Sequence, residues 1–197
     1  MVDVDGVLVN GRPRDGQHLF TDLEADLGVP LDRLQAEFFK PHWEAIVTGR
    51  AQMMERLVPV LARIAPSLPA QRFIDYWFEN DSRIDEDVRA ALGHYRAAGR
   101  KVFLATNQEH LRAKYLMETL GLAADVDGIF YSAALGDRKP GAAFFRLAAA
   151  GAGAQPQDIV FVDDAEVNVE GARRAGWTSV HWTGGDFREH LDPLLGP

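Results

Sequence analysis

The chain has 197 residues, a formal net charge of −8, 47% hydrophobic and 25% charged residues, and no cysteine. This length suits one α/β core with at most a modest insertion, and the composition suits a folded chain rather than a disordered one. An acidic balance without any run of Lys or Arg argues against a nucleic-acid partner, and the missing cysteines exclude disulfides, thiolate metal sites and a Cys nucleophile, which is compatible with a cytoplasmic protein.

No membrane partner is expected. The most apolar stretch, Gly141 to Ala154, is broken by Arg146 and dotted with glycine, so it falls short of the ~18 uninterrupted apolar residues of a span. Asp3 and Asp5 stand where a secretory signal would carry basic residues, so none is expected.

The first eight residues, Met-Val-Asp-Val-Asp-Gly-Val-Leu, alternate apolar groups with carboxylates and then reach glycine. This predicts a short strand running into a turn. Residues 13–83 read as a helical insert. Leu19, Leu23 and Leu27 precede a stop at Gly28, Leu34, Phe38 and Phe39 keep helical spacing, and Met53, Met54, Leu57, Val58 and Leu61 form another apolar face. Phe73, Tyr76, Trp77 and Phe78 cluster near its end.

From Ile84 the pattern changes. Helices are predicted over Asp85 to Ala98, Glu109 to Leu120, Ala142 to Ala150 and Val167 to Ala175. Strands are predicted between them, over Lys101 to Ala105, Gly128 to Ser132, Asp158 to Val162 and Thr178 to Trp182. Such alternation implies right-handed βαβ units and a parallel sheet. The expected organisation is a core of residues 1–12 and 84–197, with a helical cap of residues 13–83 inserted after the first strand.

Ligands of an open parallel sheet bind beyond the carboxyl ends of its strands. Those ends here carry Asp3 and Asp5, Thr106 and Asn107, and Asp163 and Asp164, with Lys139 in the loop after the third strand, Gly128 to Ser132. Period-two spacing puts Asp3 and Asp5 on one side of an extended segment, and Gly6 permits a sharp turn. With Asp163 and Asp164 nearby, that much negative charge requires a cation, and hard oxygen ligands suit Mg²⁺. Lys139 brings a second positive charge, and Thr106 and Asn107 are neutral groups suited to phosphate oxygens. Each feature alone reads more simply as a turn or a helix cap. Their order and strand-end context, taken together, favour a site.

These motifs resemble those of the haloacid dehalogenase superfamily. Asp3-Val-Asp-Gly-Val-Leu8, Ala105-Thr-Asn107, Arg138-Lys-Pro140 and Phe161-Val-Asp-Asp164 are similar to its four motifs, the last followed by Asn168 and Gly171 to Gly176. The resemblance implies an α/β fold: a Rossmann-like parallel sheet with helices on both faces and a small all-α cap. It implies a Mg²⁺-dependent hydrolase of small phosphate monoesters, such as sugar phosphates. Asp3 would be the nucleophile and Asp5 the acid and base. Thr106, Asn107 and Lys139 would bind the phosphoryl group. Asp3, the backbone carbonyl of Asp5, Asp163 and Asp164 would hold the metal, with Asn168 orienting the acidic pair. Dehalogenases of this scaffold lack the second aspartate, so Asp5 favours phosphate chemistry. Where family members carry several apolar residues before the first aspartate, only Met1 and Val2 stand here, so a short first strand is expected. A phosphomutase on the same core, and a catalytically silent ligand-binding protein, are the alternatives. Within the insert, His42, Trp43, Arg50, Arg56 and Trp77 are candidate specificity residues, although aromatics at helical spacing are more often core.

Overall fold

The computed structural model describes residues 1–195; residues 196–197, the end of the expected core segment, lie outside the described residues. The second part of the chain alternates as the sequence pattern requires. Helix α6 (Glu86–Ala97) leads to β1 (Phe103–Thr106), α7 (His110–Lys114) and β2 (Gly128–Tyr131). A short α8 (Ser132–Leu135) and α9 (Ala142–Ala152) precede β3 (Val160–Asp163), α10 (Glu166–Arg174), β4 (Thr178–His181) and α11 (Phe187–Leu195). Both ladders, β1 with β2 and β3 with β4, are parallel.

The chain's opening segment joins them. Val2 bridges Leu104 on one side and Val162 on the other, both in parallel. Its N–H donates to Phe103 O at 2.9 Å, its carbonyl accepts from Ala105 N at 2.9 Å, and Asp3 N donates to Val162 O at 2.9 Å. The sheet therefore runs β2, β1, Val2, β3, β4. The expected first strand is reduced to this one bridging residue. The reason is local: the chain turns at Val4, whose carbonyl accepts from both Leu8 N at 2.9 Å and Val9 N at 2.8 Å.

Successive residues of a strand face opposite sides of the sheet, and here they feed two separate cores. Leu104 and Val162 pack with Leu92 and Tyr95 of α6, Leu116, and Phe187 and Leu191 of α11. Ala105 and Phe161 pack with Phe144, Phe145 and Ala148 of α9 and Ala172 of α10. Helices thus cover both faces. The N-terminus of α6 is capped by Asp85, whose carboxylate accepts from Asp87 N at 3.2 Å and Val88 N at 3.1 Å, satisfying amides that have no partner within the helix.

The insert is all helical, with its own core. It comprises α1 (Leu23–Leu27), α2 (Leu31–Leu34), a π-helical turn (Gln35–Phe39) running into α3 (Lys40–Val47), α4 (Met53–Ile64) and α5 (Ala70–Asn80). Phe20, Leu34, Phe38, Leu57, Leu61, Phe73 and Trp77 are among the side chains at its centre. The two crossings between insert and sheet pair antiparallel. Val9 bridges Ile84, Asn10 N donates to Arg83 O at 2.8 Å, and Asp85 N donates to Leu8 O at 2.9 Å. On the far side, Gly49 in the α3–α4 turn lies against α8. A Cβ added there would meet the Ala133 carbonyl oxygen at 2.2 Å, and its φ of +72° already requires glycine. No helix among the described residues is long and apolar enough to cross a membrane.

Candidate active site

The sheet's carboxyl edge gathers the predicted polar residues. Asp3 directly follows Val2. Asp163 ends β3 and Asp164 begins the loop to α10. One oxygen from each of the Asp3, Asp163 and Asp164 carboxylates lies within 4.8 Å of the others. Gly6 makes this possible: at φ +82° it turns the chain so closely over Asp164 that a Cβ would sit 2.2 Å from Asp164 Oδ2.

Lys139 is the cationic centre of the group. Its side chain is fully buried, with Nζ 2.6 Å from Asp163 Oδ2 and 2.9 Å from Asp3 Oδ2. A buried ammonium is tolerated only when paired in this way. The loop that delivers it is fixed from two sides. Asn107 Oδ1 accepts from Lys139 N at 2.9 Å, while Asn107 Nδ2 donates to Lys139 O at 3.1 Å. Gly171 of α10 lets that helix rest on Pro140, whose Cβ would lie 2.8 Å from an added side chain. One amide hydrogen and the carbonyl of Asn107 are committed to the Lys139 backbone, which leaves one N–H for a ligand.

Asp163 and Asp164 are placed differently. Asp163 is wholly buried and saturated: besides Lys139 it accepts from Ala165 N at 2.9 Å and from Asn168 Nδ2 at 3.0 and 3.2 Å. Asp164 is exposed and its carboxylate has no comparable set of donors. Burial pushes the Asp3 carboxyl up to about 7; the Lys139 ammonium opposes this and the Asp163 charge adds to it. Burial, then the Asp163 charge, also raises Asp164. Carboxylates that resist ionisation through burial and a neighbouring anion are groups whose charged forms a bound cation would favour. The donor set is all oxygen, as Mg²⁺ prefers.

Thr106 ends β1 and is buried. The Asp5 side chain is not among the three clustered carboxylates. It is held by Gln108, whose Nε2 donates to Asp5 Oδ2 at 2.6 Å. Gln108 and its neighbour Arg112 were not singled out from sequence, where they look like ordinary residues at a helix start. Of the candidate specificity residues, Trp77 belongs to the insert's core, its ring among those of Phe20, Phe39, Trp43 and Phe73. Arg50 and Arg56 are exposed and His42 is half-buried; Arg50 Nε donates to Thr48 Oγ1 at 2.9 Å. A groove of about 520 Å³ lined by Leu92, Tyr95, Val102 and Val160 opens at the opposite end of the sheet, remote from the acids.

A parallel α/β sheet with a helical insert after its first segment and acids at its carboxyl edge defines a Rossmann-like hydrolase fold. The family model for haloacid dehalogenase-like hydrolases matches residues 1–176, and the chain belongs to that family. A phosphoglycolate phosphatase of Rhodospirillum rubrum is 26% identical over 98% of this chain and 82% of the relative. A structure of a family enzyme from Bacteroides thetaiotaomicron, in complex with magnesium and inorganic phosphate, superposes with a TM-score of 0.79 at 17% identity, covering 96% of each chain. A predicted family hydrolase from Porphyromonas gingivalis has a TM-score of 0.79 at 20% identity, covering 100% of this chain and 96% of the other.

Proposed function

We propose that the chain is a Mg²⁺-dependent phosphatase of small phosphorylated metabolites, working through an aspartyl-phosphate on Asp3. The observation that carries this reading is the convergence of the Asp3, Asp163 and Asp164 carboxylates within 4.8 Å, with the Lys139 ammonium bonded to two of them.

Phosphoryl transfer needs placement and charge neutralisation more than unusual side chains. An Asp3 oxygen attacks phosphorus in line, the bond from phosphorus to the leaving oxygen breaks, and Asp5 gives that oxygen a proton. Water then attacks the phosphoryl group on Asp3 while Asp5 takes its proton, releasing inorganic phosphate and free Asp3. Lys139 holds Asp3 in position and offers positive charge beside the transferring group. Thr106 and the remaining Asn107 N–H supply donors to phosphoryl oxygens. Asp3, Asp164 and the Asp5 backbone carbonyl would hold the metal directly. Asp163, its oxygens already occupied, would act through Lys139 and Asn168. Bound magnesium would neutralise charge on the phosphoryl oxygens and on the carboxylates. The helical insert would be a cap that excludes water and selects small substrates.

The test is release of inorganic phosphate from a panel of phosphate monoesters, with and without Mg²⁺. The name of the Rhodospirillum rubrum relative makes phosphoglycolate the first metabolite to include, beside sugar phosphates. Metal-dependent turnover is expected. Isomer formation without phosphate release would favour a mutase, and no turnover by folded protein a silent binder.

A further inference from the structure

Asp5 is half exposed, yet it is gripped. Gln108 Nε2 holds Oδ2 at 2.6 Å, and Arg112 Nη2 stands 3.9 Å from Oδ1. Both partners belong to the segment between β1 and the first turn of α7, and both are buried, Gln108 4% and Arg112 2% exposed. Their own settings are fixed. The Gln108 carbonyl accepts from Ser132 Oγ and Ala133 N, each at 3.1 Å. The Arg112 guanidinium lies between the Phe78 and Tyr115 rings, 5.4 Å from each centroid. It donates to the carbonyls of Phe78 and Asp81 and pairs with the Asp81 carboxylate at 3.3 Å. Its Nε is buried without a partner.

The same guanidinium that ties the end of α5 to α7 therefore also stands beside Asp5. Proton transfer requires a defined hydrogen-bond geometry, and the Gln108 bond fixes one oxygen of the Asp5 carboxylate. With Oδ2 accepting from Gln108, the transferable proton is left to Oδ1.

We infer that Gln108 and Arg112 are positioning residues that hold the Asp5 carboxylate for proton transfer to the leaving oxygen. This rests on the reading of Asp5 as the acid. It has a signature that a packing role lacks, namely dependence on the leaving group. Nitrophenolate leaves without a proton, whereas an alkoxide does not.

The experiment measures kcat/KM for p-nitrophenyl phosphate and for a simple alkyl phosphate with Mg²⁺ present, in wild type, Gln108→Leu, Arg112→Gln and Arg112→Lys, with Asp5→Asn as calibrator. Gln108→Leu is close in shape, and circular dichroism checks its fold. The ratio of aryl to alkyl kcat/KM is expected to rise about tenfold to a hundredfold in Gln108→Leu and Arg112→Gln, in the direction set by Asp5→Asn, and Arg112→Lys is expected to recover part of it. Equal losses on both substrates in folded Gln108→Leu and Arg112→Gln, or no loss in either, overturn the positioning role while leaving the phosphatase reading intact. Wild-type turnover that is unaffected by Asp3→Asn overturns that reading, and this inference with it.

Discussion

Replacing Lys139 with methionine removes the one ammonium between two buried carboxylates while keeping most of the side chain's volume. Nζ is 2.6 Å from Asp163 and 2.9 Å from Asp3, and the exposure of the three side chains is 0%, 0% and 10%. Breaking a buried pair by deleting one partner costs about 3–5 kcal/mol. For a chain of this size each kcal/mol corresponds to roughly 2–4 °C in Tm, so a fall of roughly 6–20 °C is expected for metal-free protein. The cost depends on pH. Asp3, already held up to about 7 by burial, rises further without its cation and is protonated at pH 6, so the loss is larger at pH 8 than at pH 6. Thermal denaturation of both proteins at the two pH values, in chelator and in Mg²⁺, measures this, and Mg²⁺ is expected to restore part of the loss. Turnover is expected to fall about a hundredfold to a thousandfold, as for other groups that neutralise transition-state charge. A metal-free variant within about 2 °C of wild type at pH 8 would refute the reasoning, because the two carboxylates would then not need Lys139.

Asp3→Asn is expected to abolish phosphate release without unfolding the chain, and Asp5→Asn to accumulate phosphoenzyme from an activated ester; labelled phosphate retained on protein is the measurement. Gly49→Ala forces a Cβ to 2.2 Å from the Ala133 carbonyl at a φ of +72°. Overpacking of this kind costs about 1–3 kcal/mol, a Tm fall of roughly 2–12 °C in a melting scan, whereas Gly28→Ala, with nothing within 4 Å of its Cβ, is expected to cost less. Metal-free wild type is expected to lose stability as pH rises from about 5 to 6. Asp3 and Asp81 are held by burial up to about 7 and about 6, and together they outweigh the buried Met1 ammonium, lowered to about 5, so the folded chain binds more protons than the unfolded one across that window. A melting temperature that climbs over the window contradicts those assignments. Below it the sign reverses, since Asp15, Glu37, Asp127 and Asp192 are held low by their hydrogen bonds, and their contribution is lost as pH falls through their folded values.

Periodicity carried most of the element order, because a residue's facing repeats with its own local geometry. The Leu104–Ala105 and Phe161–Val162 pairs serve opposite faces of the sheet as a period of two requires, and Gly28 stops its helix at a φ of +66°. The short α8 and the terminal α11 were not foreseen. Four residues from Ser132 to Leu135 are too few to show a period, and Phe187–Leu195 contains Pro193. The opening strand shrank to Val2 because pairing on both sides, rather than alternation, defines a strand, and the turn at Val4 ends the pairing.

The acids and the lysine were legible because their types and strand-end positions are local properties of the chain. The partners of those side chains were not. Gln108 meets Asp5 across 103 residues and Asn107 meets the Lys139 backbone across 32, separations at which no pattern in sequence records an approach. The sequence by itself determined which segments become strands and helices and which chemical groups stand at their ends. Only the tertiary structure decided that Trp77 is core, that Asp163 is saturated while Asp164 is exposed, and that Asp5 is held by Gln108 outside the cluster of Asp3, Asp163 and Asp164. Those outcomes depend on which segments the packed sheet and insert bring into contact, and on which donors are left over when they do.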